Sequence, residues 1–324
     1  MTAPLVTVAV TTYRRPEWLI ECIDSVLAQT LTDFELLIGN NDDRTPLDLA
    51  GRGDVDPRIR IIDRPKNIGQ LPNMNDLLAR ARGKFFTWLA DDDAYAPGFL
   101  EALAGTLERR GRFAHAFCGY TSDRSTLDRR PASALSVEAM PGQEFVSRYV
   151  NQELAAIGNY GVWRTDTLRA LGGIEQMGTG MSPYSDNMLV IRAATAPVLL
   201  YTTAPLLFYR LHEGATSCAA TDLDSYVTAQ QDLLTRSREV FACDHLSRDA
   251  GRNLYRLVTK WCLPHYAEIV SRKGKLSRDG FRAYRALLLR AAAPLGLLNR
   301  LRIRWHLWRR LRAMRRQPWI QAVD

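Results

Sequence analysis

Residues Gly83-Lys84-Phe85-Phe86-Thr87-Trp88-Leu89-Ala90-Asp91-Asp92-Asp93 decide how this chain is read. The apolar, β-rich run predicts a strand, and three consecutive carboxylates close it. Like charges this close repel, and each raises its neighbour's pKa unless a cation or hydrogen-bond donors compensate. Hard oxygens so placed suit Mg²⁺ or Mn²⁺ bound together with substrate phosphates. The plain alternative is a solvated acidic turn.

Upstream, Leu5-Val6-Thr7-Val8-Ala9-Val10 reads as a buried strand and is followed by the turn Thr11-Thr12-Tyr13-Arg14-Arg15. Pro16 suits a first helical position, and Trp18, Leu19, Cys22, Ile23, Val26 and Leu27 recur at helical spacing after it. Residues 34–39 predict a second strand, broken by Asn40-Asn41-Asp42-Asp43, and residues 58–62 a third. Met74, Leu77, Leu78 and Ala81 mark a second helix that stops at Gly83. This order predicts an α/β fold: a mostly parallel sheet with right-handed crossovers and helices on its faces. Ligands bind such sheets beyond the carboxyl ends of the strands. Three polar clusters fall there: residues 11–13, 40–43 and 91–93. Downstream, residues 111–215 are mixed, with strand-like pieces at 115–120 and 198–201 and a glycine-rich loop at 172–180. From about residue 216 to 324 the pattern turns helical.

Composition narrows the class. Five scattered cysteines (Cys22, Cys118, Cys218, Cys243, Cys262) contain no Cys-x-x-Cys pair, which argues against a disulfide framework or zinc site and fits a reducing, cytoplasmic compartment. The N-terminus lacks the order of a signal peptide, and the longest uncharged run, 193–209, carries Pro197 and Pro205 and is too short to span a membrane. The charge of +8 is unevenly placed. Between Gly280 and Val323 there are 11 arginines and no Asp or Glu, while residues 1–279 are nearly balanced. An anionic partner should bind at that tail.

Several motifs, in order, carry a resemblance to the family 2 glycosyltransferases of the GT-A fold. Val8-Ala9-Val10-Thr11-Thr12-Tyr13-Arg14-Arg15-Pro16 resembles the family's opening strand and turn. Ser25-Val26-Leu27-Ala28-Gln29-Thr30, then Asp33-Phe34-Glu35-Leu36, resembles its next segment. Asn67-Ile68-Gly69 with Asn75, Leu89 to Asp93, Ser185-Asp186 with Arg192, and Tyr209-Arg210-Leu211-His212-Glu213-Gly214-Ala215-Thr216-Ser217 follow in register. The resemblance spans roughly residues 4–215 and implies a catalytic domain over 1–215 with a helical, arginine-rich region over 216–324.

The resemblance implies an inverting, Mn²⁺- or Mg²⁺-dependent transfer of a sugar from a nucleotide-diphosphate donor, a UDP- or dTDP-sugar, to an acceptor hydroxyl. It makes Asp92 the direct metal ligand, with Asp91 facing the donor ribose or a metal-bound water, Asp93 supporting either, and His212 completing the coordination or touching the diphosphate. Ala90 stands where many members carry the first aspartate of Asp-x-Asp, so the division among the three carboxylates stays open. Asp186 matches the catalytic base, which must take the acceptor proton. Read without the family, Ser185-Asp186 is a helix N-cap. Residues 172–183, ahead of it, read as a flexible acceptor-side lid. Thr11, Tyr13, Asn41, Asp42 and Asn67 fall where the donor's base and ribose are held. Arg64 and Lys66 are read as phosphate contacts or a solvated loop.

In the tail, Pro294, Leu297, Leu298, Leu301, Trp305 and Trp308 share one helical face, with Arg300, Arg302, Arg304 and Arg309 largely off it. That pattern suits an anionic membrane surface near a saccharide or lipid-linked acceptor. The alternative is packing on the catalytic domain or in a homo-oligomer. No nucleic-acid module accompanies the charge. Two other classes remain: a nucleotidyltransferase on a similar sheet, and a sugar-nucleotide-binding module without turnover.

Overall fold

Val6, Val8, Ala9 and Val10 are all fully buried, as a strand covered on both faces requires. In the computed structural model, which describes residues 3–49, 56–212, 223–242, 248–273, 278–291 and 296–314, they form β1 (Val6–Thr12). β2 (Phe34–Asn40), β3 (Ile59–Asp63) and β4 (Phe85–Ala90) join it in the order β3-β2-β1-β4, every pairing parallel. The register brings Thr12 beside Asn40, and Thr11 beside Ala90. Three strand ends therefore finish level.

Helix α1 (Pro16–Leu27) buries Leu19, Cys22, Ile23 and Val26 against alternate residues of β1 and β2. Helix α2 (Gln70–Arg80) starts after Gly69, whose φ of +86° few other residues tolerate. It buries Asn73, Met74, Leu77 and Leu78, and the Trp88 indole donates to the Met74 carbonyl at 2.9 Å. Asn73 also donates to Gly39 O at 2.9 Å; a Cβ at Gly39 would stand 2.4 Å from the Asn73 side chain. Only glycine lets the helix approach β2 there.

Glu35, buried on β2, is held by Thr7 Oγ1 (2.8 Å), the Arg82 amide (2.7 Å), and the Arg82 and Arg60 guanidiniums. Burial opposes its ionisation, but these donors outweigh burial and lower its pKa. Glu35→Ala leaves the Thr7 hydroxyl and Arg82 amide without that acceptor. We expect a loss of about 2 kcal/mol, because both guanidiniums already reach water. A thermal melt indistinguishable from wild type would rule this out.

Beyond β4 the sheet becomes mixed. β5 (Ala94–Tyr95), β6 (His115–Thr121), β7 (Glu138–Pro141), β8 (Val162–Arg164) and β9 (Val198–Phe208) extend the path as β4-β8-β6-β9-β5, with β7 also on β9. β4–β8, β8–β6, β9–β5 and β9–β7 are antiparallel, while β6–β9 is parallel with a register shift at Gly119. Nine strands thus stand in one sheet among the described residues.

The chain divides into two units: residues 1–142, 154–175 and 196–211, and residues 143–153, 176–195 and 212–324. The sheet belongs to the first. The second takes in, besides the C-terminal helices, two earlier segments, one of which carries Asp186. Within it, α4 (Gly142–Val150), α6 (Ser185–Arg192), α7 (Leu223–Ala242), α8 (Arg248–Arg256), α9 (Leu263–Lys273), α10 (Arg278–Ala291) and α11 (Gly296–Met314) are helical. A short α5 (Thr165–Ala170) and α3 (Thr106–Arg110) complete the first unit's helices. The second unit's core is Leu233, Leu234, Leu254, Leu257, Val258, Leu263, Leu288, Ile303 and Leu307. No described helix is long and apolar enough to cross a membrane.

Candidate active site

After β4 the three aspartates turn the chain back into β5, whose Ala94 and Tyr95 pair with Phe208 and Leu207 at the end of β9. That clasp brings Arg210 to the acidic turn. Its amide donates to Asp93 Oδ1 at 2.8 Å, its Nε to the Asp92 carbonyl at 2.8 Å, and its Nη2 to Glu21 at 2.8 Å. The other oxygen of Asp93 accepts from the Tyr160 hydroxyl. Asp93 is 2% exposed, with a donor on each oxygen, so it faces inward. Asp91 accepts from the Thr12 hydroxyl and the Tyr13 amide. Asp92 faces Arg15, whose Nη1 lies 3.0 Å from Asp92 Oδ2 and 3.8 Å from Asp91 Oδ1.

Burial, then the neighbouring charge of Asp92, raises Asp93 to about 7; Tyr160 and Arg210 pull it only partly back. Burial raises Asp91 to about 6, with the Thr12 hydroxyl bond opposing and Asp92 adding. Both groups hold a proton more readily folded than unfolded. Their contribution to stability is therefore largest in acid and declines as pH rises through roughly pH 4 to 7. Melting temperatures measured in chelator should fall from about pH 5 to about pH 8, and Asp93→Asn should flatten the slope. An unchanged slope in that variant would remove Asp93 as its source.

The neighbouring loops are tied to each other. The Asn41 amide group donates to Asn67 Oδ1 (2.8 Å) and accepts from the Ile68 amide (3.0 Å), while its backbone amide donates to Thr12 O. Asn41 and Asn67 thus link the loops after β1, β2 and β3, and Asn41 is 5% exposed. Asp42 pairs with Arg14 at 3.2 Å, and the Arg14 guanidinium lies over the Tyr13 ring at 4.8 Å. Tyr13 is 42% exposed at the strand ends, and Thr11, two residues earlier, is half-buried. Arg14 has φ +56°, a left-handed conformation that a non-glycine residue holds at a cost. Arg64 is buried on Asn73 (2.9 Å) and Asp76 (2.6 Å). It fastens α2 to the β3 loop, neither solvated nor open to a phosphate.

In the second unit, Ser185 is the first residue of α6; the N-cap position belongs to Tyr184 at φ +74°. Asp186 lies in the first turn, half-buried. Burial raises its pKa, and the amides of Asn187 and Asp186 itself oppose that shift. The preceding loop, read from sequence as flexible, is pinned. Gly178 N donates to Asp232 (2.8 Å), Ser182 Oγ accepts from the Met177 amide (2.5 Å) and bonds Ser185 Oγ (2.7 Å). The Tyr184 hydroxyl meets Gln230 (2.9 Å) and His265 Nδ1 (3.0 Å). His212 is described and half-buried; Glu213, Gly214, Ala215, Thr216 and Ser217, the rest of its motif, lie outside the described residues, as does Pro294 of the tail.

Among the described residues no three His, Cys, Asp or Glu side chains converge as a ready metal cage, so Asp92, Asp93 and His212 are not preassembled as one. The donor set still fits an ion that arrives with a diphosphate, because such ions commonly take one or two carboxylates plus phosphate oxygens. Arg15 marks the place, a cation resting against Asp92 and Asp91. The sequence alone assigns no role to Arg15, Arg210 or Tyr160. The first two lie inside the motifs that carry the family resemblance, which is the signal for them; Tyr160 has none.

Residues 7–164, which hold all four parallel strands and the acidic turn, match the family described as Glycosyl transferase family 2. This stretch is a family 2 glycosyltransferase domain. The family 2 domain's relatives include an uncharacterized glycosyltransferase of Haemophilus influenzae, 32% identical over 109 residues, 33% of each chain. Escherichia coli chondroitin synthase is 30% identical over 129 residues, 39% of this chain and 18% of that one. The match spans about a third of the length of the first curated relatives. In fold, the chain is similar to S. aureus TarS 1-349 in complex with UDP-GlcNAc, with a TM-score of 0.68 at 12% identity over 97% of this chain and 90% of that one. The mannosyltransferase PcManGT from Pyrobaculum calidifontis, in complex with GDP-Man and Mn²⁺, aligns at a TM-score of 0.51 and 15% identity over 98% of this chain and 88% of that one. At these identities the likeness establishes the GT-A fold.

Proposed function

We propose that this protein transfers a sugar from a nucleotide-diphosphate donor, a UDP- or dTDP-sugar, to an acceptor hydroxyl with inversion, in polysaccharide or glycoconjugate synthesis. The observation that carries this reading is the turn at the crest of β4, where Asp91 and Asp92 face the Arg15 cation at the switch point of a 3-2-1-4 sheet. Asp92 and Asp91 would hold Mn²⁺ or Mg²⁺ there. When bound, the ion would neutralise the leaving diphosphate as a Lewis acid.

The remaining roles belong to the chain's own groups. Asp93, engaged on both oxygens, holds the turn rather than an ion. Arg15 supplies a second positive charge to the phosphates. Tyr13 offers a ring on which a base stacks, Asn41 and Asn67 fix the neighbouring loops, and Asp42, paired with the Arg14 that lies over that ring, serves the base or ribose. Asp186 takes the acceptor proton; burial raises its pKa, which makes its carboxylate a stronger base than an exposed one. His212 is kept as a contact to the diphosphate. The acceptor is a saccharide or lipid-linked saccharide, with the protein working at the cytoplasmic side.

The test is release of free nucleotide from UDP-, dTDP- and GDP-sugars with Mn²⁺ or Mg²⁺. Slow hydrolysis of one donor supports the transferase. Binding without turnover, on every donor and acceptor tried, would leave a binding module instead.

A further inference from the structure

Helix α11 has two faces of different fate. At about 100° per residue, Ile303 and Leu307 point to one side, and both are buried. Leu301, Trp305 and Trp308 fall within about 60° of arc on the opposite side. They are 47%, 50% and 53% exposed. Arg302 and Arg309 border that stripe on one flank and Arg304 on the other, all exposed. The Arg309 guanidinium lies over the Trp305 ring at 4.7 Å, which extends the aromatic patch toward its cationic edge. Packing on the protein's own core thus uses only half of the helix.

We infer that this outer face docks on an anionic lipid bilayer, with Leu301, Trp305 and Trp308 entering the interface and Arg302, Arg304 and Arg309 meeting lipid phosphates. Two tryptophans and a leucine between arginines match the layering of a bilayer surface, where amphipathic rings lie at headgroup depth and cations bind acidic headgroups. The charge complementarity is one-sided: no Asp or Glu occurs between Gly280 and Val323. That argues against a second copy as the occupant. A two-fold interface sets a patch against itself, and this one would oppose arginines with no carboxylate in the region to separate them. The inference is independent of the sugar-transfer reading, since its test involves no donor.

The full chain is mixed with vesicles of phosphatidylcholine alone, or of phosphatidylcholine with phosphatidylglycerol, and sedimented. Binding is expected only to the anionic vesicles, weakening with added salt. Tryptophan fluorescence should be quenched by brominated acyl chains. Arg302→Glu with Arg304→Glu should reduce binding by about ten-fold or more. Trp305→Ser with Trp308→Ser should abolish the quenching; both pairs are exposed, so the melting temperature should hold. Equal binding to neutral vesicles overturns the inference. So does wild-type binding by the tryptophan pair, or a dimer in sedimentation velocity that these same changes dissociate.

Discussion

Asp92→Asn is expected to lower the rate of sugar transfer by on the order of 10²–10³-fold while leaving the fold intact. Asparagine keeps the shape and one acceptor but removes the charge that faces Arg15 across 3.0 Å. That ion pair is a small part of the protein's stability. Arg15 is 31% exposed, and a part-solvated pair contributes under about 1 kcal/mol. A large loss of rate with an unchanged melting temperature would therefore assign Asp92 to the reaction. Asp93→Asn is the contrast: that side chain serves Tyr160 and Arg210, so its loss should disturb stability and pH response before rate. Retention of more than about a tenth of wild-type activity by Asp92→Asn, in excess metal, would end the proposed role.

Asp186→Asn separates chemistry from donor binding. If Asp186 is the base, kcat should drop by about 10²–10⁴-fold with donor KM near normal. The pH profile gives an independent check. A base works when deprotonated, and burial raises this carboxyl. The wild-type rate should therefore decline on the acid side at a pH above the ordinary carboxylate range. With saturating metal keeping Asp91 and Asp92 ionised, that limb should vanish from the residual activity of the variant. A variant that keeps the limb under those conditions would move the base to another residue.

Much of the fold is legible in the sequence because the decisive strands are buried on both faces and read as unbroken apolar runs. Residues 5–10, 34–39 and 58–62 each lie within about two residues of an observed strand, and Pro16 opens α1 as expected. The aspartates stand where a strand-ending cluster should. What the sequence leaves hidden is non-local. β5 is two residues long, too short for any periodicity, yet it decides which residues surround the turn. Tyr160 reaches Asp93 from 67 positions away, and nothing near it in sequence announces a partner carboxylate. Glycine spacing over residues 172–180 suggests freedom, whereas Asp232, Thr228 and Ser225, all on α7, fill and bind that loop. Arg64 looks like a solvated loop residue until Asn73 and Asp76 are brought over it by α2.

The clasp of β5 on β9 has a consequence for the growing polypeptide. The four parallel strands and their helices lie within the first 90 residues, so they can collapse while synthesis continues. Asp93, however, receives the Arg210 amide from 117 positions further along. No nascent chain can set the acidic turn in this geometry before Arg210 has left the ribosome. Competence is the last property that the sheet acquires.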